Sequence, residues 1–464
     1  MAAFPRPTAL AVSFALLLAA CSGPDPSSVA RAPSPSPPAD DPSPAARRTP
    51  AEATYRIELR GNSDGTRWQG SQEVAFTNTG GIELRRVWFR SWANGVDGCD
   101  PLAISVSGLE GGQMGGLRIG CTAWAVTLTE PLAPGERTRV RFDLEIRVPT
   151  RNDRFGVWDG TALLGNALPI LAVNDDDGWH LDPYVDVGES FYSEVGRYRA
   201  ILDVRRALST PATGRLVDLV TRGTREIRTY VAADVRDFAW ATGRLDVVET
   251  RADGATVNVW YRPSFMTESR ARLTARDAAA SVEAFAAAFG PYPSAEVDVV
   301  TAAFTTFGGM EYPEIVFANP ERRVLSHELA HQWWYGLVGN DEFTEPWLDE
   351  SFATWSEFLP WSPLTGCDSY RWPSKTARIT NDMAYWRDHP REYGTVYGGG
   401  GCMLGDLADR FGLARFTELL AGYVERHRLG IATTAAFQRM VERAAERHLD
   451  GFDADAYWTT WRVG

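Results

Sequence analysis

The fold class this sequence predicts is α+β, with an antiparallel β domain followed by a mainly helical domain that carries a small sheet. Three observations predict it. Between Thr54 and about Val248, short alternating stretches recur between Gly, Asn, Asp and Pro turns. From about Glu268 the apolar period lengthens to that of a helix. The 464 residues, 44% of them hydrophobic, suffice for two cores of ordinary size.

Taken in order, the chain opens with Arg6, an apolar run from Ala9 to Leu18 and small residues before Cys21. That run is too short to span a bilayer, so residues 1–20 are expected to be a secretory signal. Leu18-Ala19-Ala20-Cys21 resembles the lipobox of bacterial lipoproteins. The resemblance implies cleavage before Cys21 and lipid on its thiol and new amine. The protein would then be anchored to the bacterial cell membrane with its folded part outside the cytoplasm. An ordinary cleaved signal is the alternative. Residues 21–52 are dominated by Pro, Ser, Ala and Asp, cannot offset the entropy of ordering, and are expected to form an extended tether.

The formal charge of −13 argues against nucleic acid as a partner, because the summed field repels it. Four cysteines follow Cys21: Cys99 and Cys121 in the first domain, Cys367 and Cys402 in the second. In an oxidising compartment the expected bridges are Cys99–Cys121 and Cys367–Cys402. Sequence alone allows three connectivities, and free buried thiols are the alternative.

Residues 53–248 form the expected β domain, with strands such as Tyr55-Arg-Ile-Glu-Leu, Arg86-Val-Trp-Phe-Arg and Arg139-Val-Arg-Phe-Asp-Leu. Residues 249–464 form the second. Arg270 to Phe289 is an Ala-rich helix stopped by Gly290-Pro291, and Glu296-Val-Asp-Val-Val is a strand. Helices near 403–411, 413–427 and 434–448 follow.

Asn319-Pro320-Glu321 predicts a helix start, with Asn as N-cap and Pro at the first position, and Gly336 is placed to end it. Inside lies His327-Glu328-Leu-Ala-His331. Histidines at i and i+4 share one helical face at the separation two imidazoles need to bind one zinc. Glu328 lies beside them, within reach of a bound water. A bland surface helix with two histidines is the alternative until a third ligand is found. Thr344-Glu-Pro-Trp-Leu-Asp-Glu350 opens a second helix, with Thr344 as expected cap, and eighteen residues separate His331 from Glu350. That interval allows one tight connection between packed helices, so Glu350 can complete the ligand set and leave a fourth position for water. Metzincin spacing is excluded, since Trp334 and Leu337 stand where its Gly and third His would be. Glu357, two turns after Glu350, can accept the second N–H of a ligating histidine.

At this point the residues resemble the aminopeptidase N family of gluzincin metallopeptidases. The resemblance rests on HExxH, the eighteen-residue interval, and Trp347-Leu-Asp-Glu-Ser-Phe-Ala353 in place of the family's Trp-Leu-Asn-Glu-Gly-Phe-Ala. It implies one zinc per chain on His327, His331 and Glu350, with Glu328 as general base toward the zinc-bound water. Phe307-Gly308-Gly309-Met310-Glu311 resembles the family's Gly-Ala-Met-Glu-Asn strand, which implies that Glu311 anchors a free α-amine while Gly308, Gly309 and Met310 line the peptide. Tyr312 departs from the family's usual Asn. Tyr397-Gly-Gly-Gly resembles its Tyr-x-Lys-Gly, implying that Tyr397 stabilises the oxyanion, with Gly399 replacing Lys and Tyr393 nearby. Trp88-Phe-Arg-Ser-Trp-Ala-Asn94 and the first domain look like the family's N-terminal saddle, and residues 249–464 like its thermolysin-like catalytic domain. The family's helical C-terminal domain has no counterpart before Gly464, so an open cleft is expected.

The expected activity is therefore a zinc aminopeptidase acting on peptides with a free N-terminus. A thermolysin-like endopeptidase and a catalytically inactive cell-surface binding module are the alternatives. His180, His389, His427 and His448 lack ligand-like spacing and are expected to be structural or surface groups. So is Asn174-Asp-Asp-Asp-Gly178, which lacks the later bidentate Glu of a calcium loop.

Overall fold

The computed structural model describes residues 48–362, 364 and 366–464. The expected signal at 1–20, the lipidation site Cys21 and nearly all of the 21–52 tether lie outside them. The tether's end is corrected: Thr49 N donates to Asn174 O, and the first strand, Ala51–Gly61, begins before residue 53.

Alternation builds the first half. In Ala51–Gly61, Tyr55, Ile57 and Leu59 are buried while Arg56 and Glu58 between them face out or sit half-exposed. Seven strands form one sheet, in the order Arg215–Arg222, Arg225–Val235, Gly196–Arg205, Ala51–Gly61, Arg67–Thr77, Arg137–Arg147 and Ile104–Glu110. One pairing departs from the antiparallel expectation, because Ala51–Gly61 and Gly196–Arg205 run parallel. Parallel neighbours need a long crossover, and the excursion through the smaller sheets between residues 61 and 196 supplies it. A second sheet places Leu84–Arg90 beside Ala123–Leu132. Its inner face meets the first in a buried aromatic cluster, where Phe142 of Arg137–Arg147 stands edge-on to Phe89 at 5.8 Å and to Trp124 at 5.4 Å. Asn94 holds the turn after Trp92, donating to Ile104 O and accepting from Ile104 N.

The second half is a five-stranded sheet covered by helices. Its order is Asp246–Ala252, Ala255–Tyr261, Glu296–Thr301, Ile315–Ala318 and Gly309–Met310. Helix Glu268–Phe289 is capped by Thr267, which accepts from Arg270 N, and stops at Gly290 with φ of 104°. Its apolar face presents Phe285 and Phe289 to Trp333 and Trp334. Helices Gly400–Phe411, Leu413–His427, Thr434–His448 and Ala454–Trp461 complete this core.

Two devices fix loops between the elements. Buried Arg236 donates to Ser193 O, Tyr335 O and Gly430 O, tying three loops to one guanidinium. Disulfides join Cys99 to Cys121 and Cys367 to Cys402, with Cα separations of 5.6 Å and 5.3 Å.

Candidate metal centre

The histidine helix is Arg322–Ala330, shorter at both ends than its sequence signals predict. Asn319 does not cap it. Its side chain instead accepts from Phe304 N and donates to Phe304 O, recruited by a neighbouring loop. The helix ends well before Gly336, yet His331 keeps helical backbone angles at the C-cap, so it still stands one turn above His327. The second helix, Trp347–Ser356, starts at Pro346 without a side-chain cap, so Thr344 has no capping role.

Packing of these helices brings three donor atoms together. Nε2 of His327 is 3.0 Å from Oε2 of Glu350, Nε2 of His331 is 3.5 Å from the same oxygen, and the two Nε2 atoms are 3.2 Å apart. A tetrahedral zinc with bonds of about 2.0–2.2 Å would hold its ligands roughly 3.3–3.5 Å from one another. The triangle therefore fits a zinc ion. The other ring nitrogens are committed elsewhere: Nδ1 of His327 stands 3.0 Å from Glu357 Oε2, and Nδ1 of His331 stands 2.9 Å from Trp334 O. Both acceptors require an N–H, which leaves each Nε2 lone pair aimed at the common point. Arg323 Nε in turn donates to Oε1 of Glu357.

The site gathers charged groups in a buried setting. Burial alone would raise Glu350, but hydrogen bonds from His327 and His331 hold it well below the usual carboxylate range. Burial would lower both histidines, but carboxylate neighbours outweigh it. His327 is raised well above its ordinary value and His331 to about 10. His327 and His331 would hold a dication as neutral imidazoles, and the bound charge would then serve in place of those protons. Burial pushes Glu328 up to about 8, with His327 opposing and Glu311 adding to the rise.

These residues line a cleft of about 580 Å³, within the range of small-molecule sites. Glu328 fits because Gly309 has no side chain; a Cβ there would lie 2.5 Å from the Glu328 carboxylate carbon. Glu311 is 3% exposed, and its Oε1 has no hydrogen-bond partner among the described residues. Burial raises its pKa, with His331 the largest opposing charge. Met310 is buried, whereas Gly308 and Gly309 line the cleft. Tyr397 donates to Glu350 Oε1 at 2.6 Å.

The departures from the family pattern have local reasons. Tyr312 points out of the cleft, donating to Asn166 Oδ1 at 2.6 Å, in a space that Gly165 keeps open. Asp349 accepts from Glu350 N and is pushed up to about 8 chiefly by burial. Ser351 donates to Val396 O, filling the space above Gly400. Gly399 leaves room for the Tyr370 hydroxyl.

Several cleft residues escaped the sequence analysis. Arg154 and Glu189 come from the β-rich half and pair at 2.7 Å; Thr354 and Arg323 also line the cleft. No spacing links Arg154 or Glu189 to the histidine helix, so no sequence signal could have found them. Arg323, four residues before His327, was open to the same i, i+4 argument that found His331. His180 lies elsewhere, between Asp175 and Asp341, and Asn174–Asp175 pairs with Gly178–Trp179 as a small hairpin.

Residues 275–461 match the model of the peptidase family M1 domain. The chain carries an M1 peptidase domain. The matched segment contains Glu311, His327, Glu328, His331, Glu350, Glu357 and Tyr397. Human aminopeptidase N is 28% identical over 167 residues, 32% of this chain and 17% of that protein. Aminopeptidase M1-D of Oryza sativa subsp. japonica is 25% identical over 203 residues, 37% of this chain and 23% of that protein. The chain thus spans less than a quarter of the length of either relative. Over nearly the whole fold, the M1 zinc metallopeptidase from Deinococcus radiodurans superposes with a TM-score of 0.64 at 18% identity, covering 90% of this chain and 95% of that one. The M1 domain and the β-rich half therefore share the architecture of that two-part structure.

Proposed function

We propose that this protein is a zinc-dependent aminopeptidase that removes the N-terminal residue of peptides. The observation that carries the proposal is Glu311: a buried carboxylate with an unpartnered oxygen, in the same cleft as the three metal-ligand atoms. A carboxylate so placed is costly unless a cation arrives, and a peptide's α-ammonium is that cation. An endopeptidase would have no use for it.

His327, His331 and Glu350 would hold the zinc, which when bound supplies Lewis-acid chemistry, activating water and polarising the carbonyl. Glu311 receives the α-ammonium and sets which peptide bond lies above the histidine helix. The backbone at Gly308, Gly309 and Met310 runs beside the peptide. Glu328 takes a proton from the attacking water and returns it to the leaving amine. Tyr397 donates its hydroxyl to the developing oxyanion.

The test is a panel of aminoacyl anilides, free and N-acetylated, with and without chelator. Chelator-sensitive cleavage of the free forms alone is expected. Equal cleavage of acetylated substrates would instead support a thermolysin-like endopeptidase. Glu328→Gln should retain zinc and lose about 10²–10⁴ in turnover; full activity in that variant would remove Glu328 from the reaction.

A lipid anchor at Cys21, holding the enzyme outside the cytoplasmic membrane of a bacterium, is proposed from the lipobox-like Leu18-Ala-Ala-Cys21 alone. Cys21→Ala should release the protein from the membrane fraction; retention there would overturn the anchor.

A further inference from the structure

We propose that Arg323 receives the free α-carboxylate of a short peptide, so that the cleft reads both ends of a di- or tripeptide substrate. The inference rests on the aminopeptidase proposal and deepens it by naming the length and end group of the substrate.

Arg323 lies on the histidine helix one turn before His327, so its side chain rises on the face that carries the metal ligands. It lines the cleft together with Val324, Thr354 and Glu357. Its partner Glu357 is 5% exposed, whereas the Arg323 side chain is 66% exposed. Only Nε is engaged, by Glu357 Oε1; Nη1 and Nη2 make no hydrogen bond among the described residues. The guanidinium also lies 4.8 Å from the Phe358 ring centroid, which limits its swing. A planar fork held along one edge beside a cleft, with its outer nitrogens unbonded, is the geometry that accepts a carboxylate.

The amine anchor is at the other end. The 308–312 segment runs along the histidine helix toward its C-terminus: a Cβ on Gly308 would lie 2.9 Å from Val324, one on Gly309 2.5 Å from the Glu328 carboxylate carbon, and Tyr312 O accepts from Gln332 Nε2. Glu311 therefore lies toward His331 and away from Arg323. Arg323 instead reaches the site through Glu357 and His327. Eight residues separate Arg323 from His331 along the helix, a rise of about 12 Å at 1.5 Å per residue. Extended peptide covers about 3.3–3.6 Å per residue, so two or three residues, with a charged hydrogen bond at each end, bridge that distance. A longer peptide must leave the guanidinium unpaired or bend around it.

Arg323 could instead serve only to orient Glu357, and the test separates the two roles. A tripeptide made of the best N-terminal residue from the anilide panel followed by Gly-Gly is prepared as free acid and as C-terminal amide. Binding of each to the zinc-loaded Glu328→Gln protein is measured by calorimetry. The acid should bind about 10- to 100-fold tighter than the amide, as one charge-assisted pair provides. Arg323→Ala in the same background should erase that ratio, and Arg323→Lys should keep part of it. A role confined to orienting Glu357 would shift acid and amide alike and leave their ratio unchanged. Equal binding of acid and amide, no measurable binding of either, or a ratio that survives Arg323→Ala would overturn the proposal. Failure of the aminopeptidase proposal shows separately, as loss of anilide and peptide turnover in the Glu328 protein while the acid-to-amide ratio stands.

Discussion

Tyr397 donates its phenolic proton to one oxygen of Glu350 at 2.6 Å, while the other oxygen stands 3.0 Å from Nε2 of His327. The hydroxyl is thus held at the ligand cluster, poised either to turn to a substrate oxygen or to support the ligand itself. Tyr397→Phe should lower kcat about 10²–10³-fold, with KM and bound zinc near the parent values. Zinc content falling in step with kcat would show that the hydroxyl serves Glu350 and not the reaction.

Glu357 orients His327 by accepting from Nδ1 and is itself held by Arg323. Glu357→Ala should weaken zinc binding about 10- to 100-fold, read by competition with a chromogenic chelator. Glu357→Gln should lose less, because its amide oxygen can still accept from His327. Unaltered affinity in the alanine variant would mean that packing alone orients the ring.

Ser351 and Gly400 compete for one space, since a Cβ on Gly400 would lie 1.8 Å from Ser351 Oγ. Gly400→Ala should cost about 1–3 kcal/mol through overpacking. Adding Ser351→Gly should recover at least half of that in denaturant midpoints. Strictly additive costs would mean the two side chains do not contend.

His180 links the β-rich half to the loop between the two metal-site helices: Nε2 is 2.9 Å from Asp175 and Nδ1 3.3 Å from Asp341. Arg90 donates to the backbone carbonyls of His180 and Asp182 from the far side. Hydrogen bonding to Asp341, opposed by burial and aided by Asp175, raises His180 to about 9. Because the folded value lies above the unfolded one, the stabilisation is complete below about pH 6.5 and is lost as pH rises through 9. The Tm gap between the parent and His180→Gln should therefore be widest in mild acid and narrow steadily toward pH 10. A gap independent of pH would assign His180 a packing role only.

Helix caps show where local signals lose to distant ones. Asn319 and Thr344 have the chemistry of caps, but Phe304 engages the first and a turn before Pro346 displaces the second. The parallel pairing of Ala51–Gly61 with Gly196–Arg205 was likewise invisible, because alternation reports which face is buried and not which neighbour lies alongside.

By itself the sequence determined the candidate ligand set and the order of β-rich and helical parts. The spacing of His327 and His331, and the two turns from Glu350 to Glu357, follow from helical periodicity, which is a property of a few consecutive residues. Only the tertiary structure decided that three donor atoms close to within 3.5 Å, that Glu311 is buried with an oxygen unpartnered, and that Arg154, Glu189 and Arg323 share their cleft. Those relations join segments distant in the chain. They depend on how two cores pack against each other, which no local period encodes.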